Sequence, residues 1–474
     1  MRRTKIVATI GPVSNNKKVL SSMVDAGLDV ARLNLSHGDY EEHRKKIELI
    51  REIEDETGKT IGIMFDTKGP EIRTGKVKED NILLKTGDEI TITTEDIIGD
   101  STRISISYRN LVNELPVGSR ILIDDGLLEF EVVEVKETEL LCKIINGGVL
   151  GSCKGVNIPG ISLDLPALTK TDKEYIRFGI EMGINFIAAS FVRKAQDVLS
   201  IRAFLDNNGA QGIYIIAKIE NQEGVDNIDE ILEIADGIMI ARGDLGVEIP
   251  SERVPVIQKR IIHKCNEAGK PVITATQMLE SMIRNPRPTR AEASDVANAI
   301  FDGTDAIMLS GESAIGRYPV EAVRTMDRIA REIESSAFYQ EAMVKTAKNN
   351  KAKASTITES ISYSSCRIAM DINAKCIISA TSSGNTSRML AKFRPRTQII
   401  AVTHDKYVKH YLTLCWGIYP IQLPVKSKTT DELIDNSIKT VLRYGLLKPG
   451  DLVIITAGTD LSINTTNSIE VLTI

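Results

Sequence analysis

Polar and charged side chains follow six short apolar runs in the first two-thirds of the chain. They supply carboxylates, guanidinium and ammonium groups, hydroxyls and amides, which are the groups that handle phosphates and metal cations. The residues concerned are Arg32, Asn34, Ser36, His37, Asp66, Thr67, Lys68, Glu71, Arg73, Lys218, Glu220, Asn221, Arg242, Gly243, Asp244, Thr274, Ala275, Thr276, Gln277, Ser310, Gly311, Glu312 and Ser313. So many charges at one place need compensating partners, and stability alone is a poor explanation for them.

These side chains separate by chemical task. Glu220 and Asp244 are carboxylates on neighbouring runs and suit a hard divalent cation such as Mg²⁺. Four basic side chains suit phosphate oxygens, namely Arg32, Lys68, Arg73 and Lys218. Oxygens for a monovalent cation come from Asn34, Ser36, Asp66 and the carbonyl of Thr67. The chain thus offers ligands for a metal and basic side chains for phosphate oxygens, but no evident nucleophile. This combination indicates phosphoryl transfer, in which catalysis is mainly positioning and charge stabilisation.

The elements that must position these groups repeat one pattern. Eight apolar, β-branched runs suit the buried strands of a parallel sheet, at 5–11, 30–37, 61–67, 186–192, 214–221, 237–243, 271–278 and 305–310. Amphipathic helical patterns lie at 16–26, 41–56, 172–182, 195–207, 225–235, 252–268, 289–302 and 319–336, with Thr171 and Thr289 as expected N-caps. Eight such units predict an α/β fold with a (β/α)8 TIM barrel, whose active site lies at the carboxyl ends of the strands.

A segment with a different pattern of polar and apolar residues interrupts the barrel pattern after the third apolar run. Residues 70–166 alternate polar and apolar side chains between turn residues, which predicts a small inserted antiparallel β domain. An insertion on this face of a barrel is placed to act as a lid. The predicted domains are therefore 1–69 with 167–336 for the barrel, 70–166 for a small β-barrel lid, and 350–474 for a C-terminal α/β sheet domain. The polar, Lys-rich residues 337–354 are expected to form a linker that runs into a helix.

The composition excludes several classes of protein. The chain has 474 residues and a net charge of -5, so it lacks the excess positive charge of a nucleic-acid binder. No apolar stretch is long enough to span a bilayer, and the N-terminus has no signal-peptide pattern. The six cysteines form no CxxC pair or metal-like spacing, which predicts buried thiols and a cytoplasmic location.

Several long strings resemble the pyruvate kinase family. They lie in order from residue 3 to the C-terminal sheet and include 9–12, 32–38, 66–73, 218–221, 241–246, 275–282 and 286–292. The resemblance implies transfer of a phosphoryl group from phosphoenolpyruvate to ADP in glycolysis, giving pyruvate and ATP, with Mg²⁺ and K⁺ as cofactors. It also implies a homotetramer.

The resemblance assigns a role to each matching residue. Lys218 would stabilise the phosphoryl group and the enolate, Glu220 and Asp244 would hold Mg²⁺, and Asn34, Ser36, Asp66 and Thr67 would bind K⁺. Gly243, Asp244 and Thr276 would hold the pyruvate carboxylate, while Ser310 and Glu312 would belong to a proton-delivery network. The residues expected at the nucleotide or the phosphate are Arg32, Asn34, His37, Arg73 and Lys154, with Asp124 closing from the lid.

Two positions bear on regulation and on the cation requirement. K⁺-independent members of the family carry Lys where this chain has Glu71, so we expect K⁺-dependent activity. A helix start with the residues Thr381, Ser382, Ser383, Gly384, Asn385 and Thr386 resembles the family's sugar-phosphate effector loop. The last loop, 458–467, lacks most of the glycines of members activated by fructose 1,6-bisphosphate and carries Asp460. This argues against fructose 1,6-bisphosphate as the effector but not against a smaller sugar phosphate.

Two alternatives are consistent with parts of the pattern. A Mg²⁺-enolate lyase on a related barrel would share the metal carboxylates, but not the nucleotide-side residues or the inserted lid. A sensor that lost catalysis would keep the C-terminal sheet, yet every catalytic position that can be matched is intact. Consumption of ADP separates the kinase from both.

Overall fold

The computed structural model describes residues 1–352, 356–458 and 465–474. The first strands are β1 (Lys5–Thr9), β2 (Val30–Asn34) and β3 (Gly62–Asp66). The inserted segment contains β4 (Ile72–Arg73), β5 (Asn81–Leu84), β6 (Glu89–Thr93), β7 (Arg103–Ser105), β8 (Arg120–Ile123), β9 (Leu128–Val135), β10 (Glu139–Asn146), β11 (Gly148–Gly151) and β12 (Gly155–Asn157). Later strands are β13 (Phe186–Ala189), β14 (Tyr214–Ile219), β15 (Gly237–Ala241), β16 (Val272–Ala275), β17 (Ala306–Leu309), β18 (Cys376–Ala380), β19 (Gln398–Thr403), β20 (Ile418–Gln422), β21 (Leu452–Ala457) and β22 (Ser468–Thr473).

Seventeen α-helices accompany these strands in the described residues. Those before the C-terminal sheet are α1 (Lys17–Ala26), α2 (Tyr40–Thr57), α3 (Leu111–Glu114), α4 (Lys170–Glu181), α5 (Ala195–Asn207), α6 (Gln222–Asp226), α7 (Ile228–Ile234), α8 (Arg242–Glu248), α9 (Val254–Ala268), α10 (Arg290–Asp302), α11 (Gly311–Ala314), α12 (Pro319–Ser335) and α13 (Ala337–Ala352). The remaining helices are α14 (Ile357–Asp371), α15 (Asn385–Lys392), α16 (Lys406–Tyr411) and α17 (Thr430–Arg443). None of the helices in the described ranges is both long and apolar enough to cross a membrane.

Eight parallel strands close into the predicted barrel. Their order is β1-β17-β16-β15-β14-β13-β3-β2, and β1 pairs with both β17 and β2. The strands are apolar on both faces because one face fills the barrel and the other packs against the surrounding helices. This arrangement brings the carboxyl ends of all eight strands to one rim, so the polar residues that follow them share that rim.

Seven of the nine inserted strands form a second sheet, and β5 and β11 pair with each other separately. Seven strands lie in the order β4-β12-β8-β9-β10-β6-β7 around an apolar core that includes Ile92 and Phe130. The edge strands β4 and β7 meet through an antiparallel bridge between Thr74 and Ile106, which closes the sheet on itself. This closure satisfies backbone groups that an open edge would leave unpaired.

The C-terminal sheet covers the opposite end of the barrel. Its order is β20-β19-β18-β21-β22, with only β22 antiparallel. The rings of Tyr214 and Tyr411 stack at a centroid distance of 3.9 Å, and Phe186 of the barrel packs beside Tyr411. Barrel side chains and C-terminal side chains therefore belong to one continuous apolar cluster.

Three local predictions were wrong. Residues 337–352 are helix α13 rather than a linker, because Tyr339 and Met343 lie one turn apart and bury their side chains. Helix α4 is capped by Thr169, whose hydroxyl forms a capping box with Asp172, and not by Thr171. All six cysteines are free as expected, but Cys153 is exposed in the lid. The predicted cap Thr289 is confirmed, with Glu292 completing its capping box.

Candidate active site

A chain of buried ion pairs lies at the rim where β2, β3 and β14 end. Nε of Arg32 is 2.6 Å from Oδ2 of Asp66, and Nζ of Lys218 is 3.0 Å from Oδ1 of the same carboxylate. Nζ of Lys218 is also 2.9 Å from Oε1 of Glu220. All four side chains are buried: Arg32 is 9% exposed, Asp66 1%, Lys218 8% and Glu220 1%. Alternating charges keep this desolvated cluster compensated.

Burial and neighbouring charge set the protonation of the cluster. Burial opposes the charged form of Lys218, but Asp66 and Glu220 outweigh it and raise the pKa of the ammonium above its ordinary value. Burial likewise opposes ionisation of Asp66, and Arg32 and Lys218 reverse this and lower its pKa. Burial, reinforced by the nearby carboxylate of Asp244, raises the pKa of Glu220 to about 7 against the opposing charge of Lys218. A cation between Glu220 and Asp244 would relieve that repulsion.

Ser190 connects these groups, and the sequence analysis missed it. Nζ of Lys218 donates to Oγ of Ser190 at 2.7 Å, and that hydroxyl donates to the carbonyl of Thr67 at 2.7 Å. The next amide, of Phe191, donates to Oε2 of Glu220 at 2.7 Å. Ser190 directly follows β13, so the rule that polar residues at strand ends build the site would have found it.

Helix α8 and the end of β16 form the opposite wall. The amide of Gly243 donates to Oγ1 of Thr276 at 2.7 Å, and that hydroxyl donates to the carbonyl of Ala275 at 2.6 Å. Thr276 and Gln277 have φ of 67° and 52°, a conformation that is strained for a β-branched residue such as threonine. No side-chain hydrogen bond or ion pair engages Asp244 within residues 1–352, so its carboxylate is available to the cleft.

Ser310 and Glu312 lie at the end of the eighth strand. Glu312 is buried, and its two carboxylate oxygens accept the amides of Leu279 at 3.0 Å and Ser310 at 2.8 Å. The hydroxyl of Ser310 is buried without a hydrogen-bond partner in the described residues. A polar atom left unpaired in this way indicates a place for a water or a ligand group.

Basic side chains line the side of the cleft next to the lid. Arg73 is 2.7 Å from Glu71 and donates to the carbonyl of Cys153 at 2.9 Å, and Lys68 is 4.0 Å from Glu71. In the lid, Nζ of Lys154 is 3.0 Å from Oδ1 of Asp124. His37 is exposed on the loop after β2, apart from the buried cluster.

The four oxygens expected to bind a monovalent cation lie on adjacent strands. Asn34 and Asp66 are partners in the register of β2 and β3, and Thr67 follows Asp66 directly. The side-chain oxygen of Asn34 accepts the amide of Ser36 at 3.1 Å, and Ser36 itself is exposed. Asp66 supplies negative charge beside neutral oxygens, and its two carboxylate oxygens also pair with Arg32 and Lys218.

A cleft of about 660 Å³ separates the barrel rim from the inserted sheet. Both domains line it, with Asp244 and Glu248 on one side and Arg73, Lys154 and Asn157 on the other. Burial, followed by the charge of Asp244, raises the pKa of Asp125 in the lid, so the two carboxylates face each other across this space. Glu220 and Asp244 fit a divalent cation that takes its remaining ligands from substrate oxygens and water.

A second cavity of about 370 Å³ lies in the C-terminal sheet domain. Helix α15 begins there, after Gly384 with φ of 80°, whose amide donates to the hydroxyl of Thr381 at 2.9 Å. The amide of Asn385 faces Oγ of Ser383 at 3.4 Å, and the hydroxyls of Thr386 and Thr466 share a short hydrogen bond. Most of the predicted last loop lies outside the described residues, since 459–464 are not described.

Comparisons with known proteins agree over nearly the whole chain. The family model "Pyruvate kinase, barrel domain" matches residues 1–323, and "Pyruvate kinase, alpha/beta domain" matches residues 359–472. A pyruvate kinase of Geobacillus stearothermophilus is 53% identical over 459 residues, which cover 96% of this chain and 78% of the relative. A pyruvate kinase of Clostridium acetobutylicum is 49% identical, with 99% of both chains covered. A crystal structure of a pyruvate kinase from Cryptosporidium parvum superposes with a TM-score of 0.93 at 41% identity, covering 100% of this chain and 96% of that one.

Proposed function

The chain belongs to the pyruvate kinase family, and on that premise we propose how its residues transfer a phosphoryl group from phosphoenolpyruvate to ADP. The reaction yields pyruvate and ATP and is a step of glycolysis. One observation carries the assignment of roles: the Lys218 ammonium lies 2.9 Å from Glu220 and 3.0 Å from Asp66, buried at the barrel rim where β2, β3 and β14 end.

Lys218 stabilises the charge that moves during transfer. The phosphoryl group carries negative charge on its oxygens, and the departing pyruvate oxygen becomes an enolate. The carboxylates of Asp66 and Glu220 keep the ammonium protonated and fix its direction, so it acts without reorganisation as this charge develops.

Glu220 and Asp244 hold the divalent cation. When bound, Mg²⁺ supplies positive charge to the oxygens of the phosphate and of the enolate. The amides of Gly243 and Asp244, with the Thr276 hydroxyl, bind the carboxylate of the substrate. That carboxylate replaces Oγ1 of Thr276 as the acceptor of the Gly243 amide, and the Thr276 hydroxyl turns from the carbonyl of Ala275 to donate to the substrate.

The enol product requires a proton on its methylene carbon to become pyruvate. Thr276 stands beside the bound carboxylate, and Ser310 has a buried hydroxyl with no hydrogen-bond partner in the described residues. Glu312 holds the amide of Ser310 at 2.8 Å and so fixes the loop that carries this hydroxyl. The proton passes through Ser310 and an attached water to the carbon, and the change to the keto form favours ATP formation.

The nucleotide and its phosphates occupy the basic side of the cleft. Arg32 and Arg73 hold the transferred phosphate, while Asn34, His37 and Lys154 contact the nucleotide. Asn34, Ser36, Asp66 and Thr67 hold K⁺ next to this position. The lid, with Asp124 beside Lys154, excludes water that would otherwise hydrolyse the phosphoryl group.

A coupled assay tests this assignment. The wild-type chain should form pyruvate from phosphoenolpyruvate only when ADP, Mg²⁺ and K⁺ are all present, whereas a lyase or a sensor would consume no ADP. Lys218→Met should lower kcat by about 1,000-fold, because it removes the charge that stabilises the transition state. Lys18→Met changes an exposed lysine of α1 and serves as the matched control. Full activity in Lys218→Met with wild-type melting behaviour would contradict the role of Lys218.

The C-terminal cavity binds a regulatory sugar phosphate. Thr381, Ser382, Ser383, Gly384, Asn385 and Thr386 surround the start of helix α15, where hydroxyls and amides suit a phosphate. Titration of sugar monophosphates and bisphosphates at sub-saturating phosphoenolpyruvate tests this site, and no response to any of them would contradict it.

The family resemblance further favours a cytoplasmic homotetramer. Its domains would be 1–69 with 167–336, 70–166 and 350–474. Light scattering measures the state of assembly.

A further inference from the structure

One side-chain hydrogen bond joins the inserted sheet to the barrel. Nδ2 of Asn157 donates to Oε1 of Glu248 at 3.1 Å, and both side chains line the cleft. Within residues 1–352, no other hydrogen bond or ion pair connects residues 72–157 to the barrel. Gly126 of the inserted segment also approaches Val247 of α8, and beyond these contacts the cleft lies between the two domains. The hydrogen bond therefore depends on the lid lying over the cleft.

The barrel side of this contact belongs to the helix that carries Asp244. Helix α8 runs from Arg242 to Glu248, so Asp244 and Glu248 are four residues apart and share one face. The amide of Gly243, at the start of the same helix, donates to Thr276. A contact made by Glu248 therefore affects the position of α8, the helix that carries the proposed metal ligand Asp244 and the amides proposed to bind the substrate.

The lid side of the contact belongs to the strand that positions the basic residues. Strand β12 pairs with β4, where Gly155 lies opposite Arg73, and with β8, where Asn157 lies opposite Leu122. Lys154 directly precedes β12. Because backbone ladders resist shear, Asn157 moves together with Arg73 and Lys154.

We propose that Asn157 and Glu248 form a latch that holds the lid closed. The latch also fixes the position of α8 relative to the basic side of the cleft. The two are positioning residues that act through Asp244, Gly243, Arg73 and Lys154. The amide of Asn157 also offsets the repulsion that Glu248 exerts on Asp244. The latch rests on the proposed role of the lid in excluding water.

Paired variants test the latch by kinetics. Asn157→Ala and Glu248→Ala should each lower kcat/KM for ADP by about 10-fold, corresponding to loss of a hydrogen bond to a charged group. Each should also increase the pyruvate formed without ATP, because water enters the open cleft. The double variant should be no worse than either single variant, and Glu248→Gln, which keeps an acceptor, should stay within about 3-fold of wild type. Asn113→Ala, in an exposed part of the lid, is the control.

The outcomes distinguish the latch from the function on which it rests. If Asn157→Ala behaves like Asn113→Ala, or if the two alanine effects multiply in the double variant, the latch is wrong. Small-angle scattering measures closure without turnover, and Asn157→Ala should be more expanded than Asn113→Ala even in a preparation that shows no kinase activity. Equal scattering of the two variants contradicts the latch, whereas an inactive wild type contradicts only the proposed reaction. Matching melting curves verify that the variants are folded.

Discussion

At the scale of single residues, the site is held by backbone conformations that cost energy. Phe191 has φ of 55° and Thr276 has φ of 67°, and side chains other than glycine rarely adopt such values. Each such residue costs on the order of 1–3 kcal/mol, and the surrounding contacts must hold it in place. The amide of Phe191 binds Glu220, and the hydroxyl of Thr276 binds the amide of Gly243. The strain therefore occurs at residues whose hydrogen bonds hold Glu220 and the start of α8 in place.

We expect the requirement for K⁺ to depend on a single residue, Glu71. Glu71 is neutralised by Arg73 at 2.7 Å and contributes no positive charge to the phosphate site. We expect the wild-type rate to fall by about 10-fold or more when Na⁺ replaces K⁺ at equal ionic strength, since the proposed role of the four oxygens is to bind K⁺. Glu71→Lys should lose most of this difference, because a fixed ammonium replaces the mobile cation.

Glu79→Lys is the control for this experiment, because it adds the same charge at an exposed position of the lid. It should keep the wild-type ratio of rates in K⁺ and Na⁺. A wild-type enzyme that is equally fast in both salts would show that the four oxygens do not bind a required cation.

At the scale of elements, Arg242 joins α8 to two neighbouring segments. The guanidinium of Arg242 lies 2.7 Å from Asp295 of α10 and donates to the carbonyl of Thr276 at 2.8 Å. It thereby ties the start of α8 to the end of β16 and to a helix of the outer ring. The planar fork of arginine makes both contacts at once, which a lysine cannot do.

Arg242→Lys should therefore weaken substrate binding rather than the fold. We expect kcat/KM for phosphoenolpyruvate to fall by about 10- to 100-fold, because the Gly243 amide and Thr276 lose their common anchor. Arg324→Lys, which changes an exposed arginine of α12 paired with Glu321, should have no such effect. Steady-state kinetics with melting curves measure both, and an unchanged kcat/KM in Arg242→Lys would show that the anchor is unnecessary.

At the scale of the whole molecule, the C-terminal domain is bound to the barrel by charge as well as by apolar packing. Glu54 at the end of α2 lies 2.9 Å from His410 and 3.6 Å from Lys409, both on α16, and 2.6 Å from Arg51. Burial opposes its ionisation, but the hydrogen bond and charge of His410 and the charges of Arg51 and Lys409 lower its pKa to about 2. Helix α16 follows Asp405, which lines the C-terminal cavity, so the contact connects that cavity to the barrel.

The lowered pKa of Glu54 makes this junction sensitive to acid. Its pKa lies below the ordinary value of 4.5, so its contribution to stability is fully present above that pH and is lost as the pH falls towards 2. The difference in unfolding free energy between wild type and Glu54→Gln should shrink from about 3 kcal/mol near pH 7 to about 2 kcal/mol near pH 3.5. Denaturant titrations at the two pH values measure it. Glu52→Gln, at an exposed position of the same helix, gives the baseline, and a difference independent of pH would contradict the assignment.

The sequence by itself determined the barrel and the insertion, and it placed the candidate site residues at the strand ends. Strand and helix periods are local, and a parallel barrel brings every strand end to one rim, so Lys218, Glu220 and Asp244 could be placed together from their positions after apolar runs. The fold class was predicted correctly in this way, and the family was predicted correctly from the resemblance of long sequence strings. Helix α13 was missed because lysines and polar residues hid the buried side of Tyr339 and Met343.

Only the tertiary structure decided which groups are paired. Lys218 pairs with Asp66, which is 152 residues away in the sequence, and Ser190 contacts both. Asn157 donates a hydrogen bond to Glu248, which is 91 residues away in the sequence. Such partners depend on strand register, rotamer and burial, which arise from packing over the whole chain and leave no periodic trace in the sequence. The types of chemical group follow from the order of residues, whereas their protonation and direction follow from the neighbours that folding brings to them.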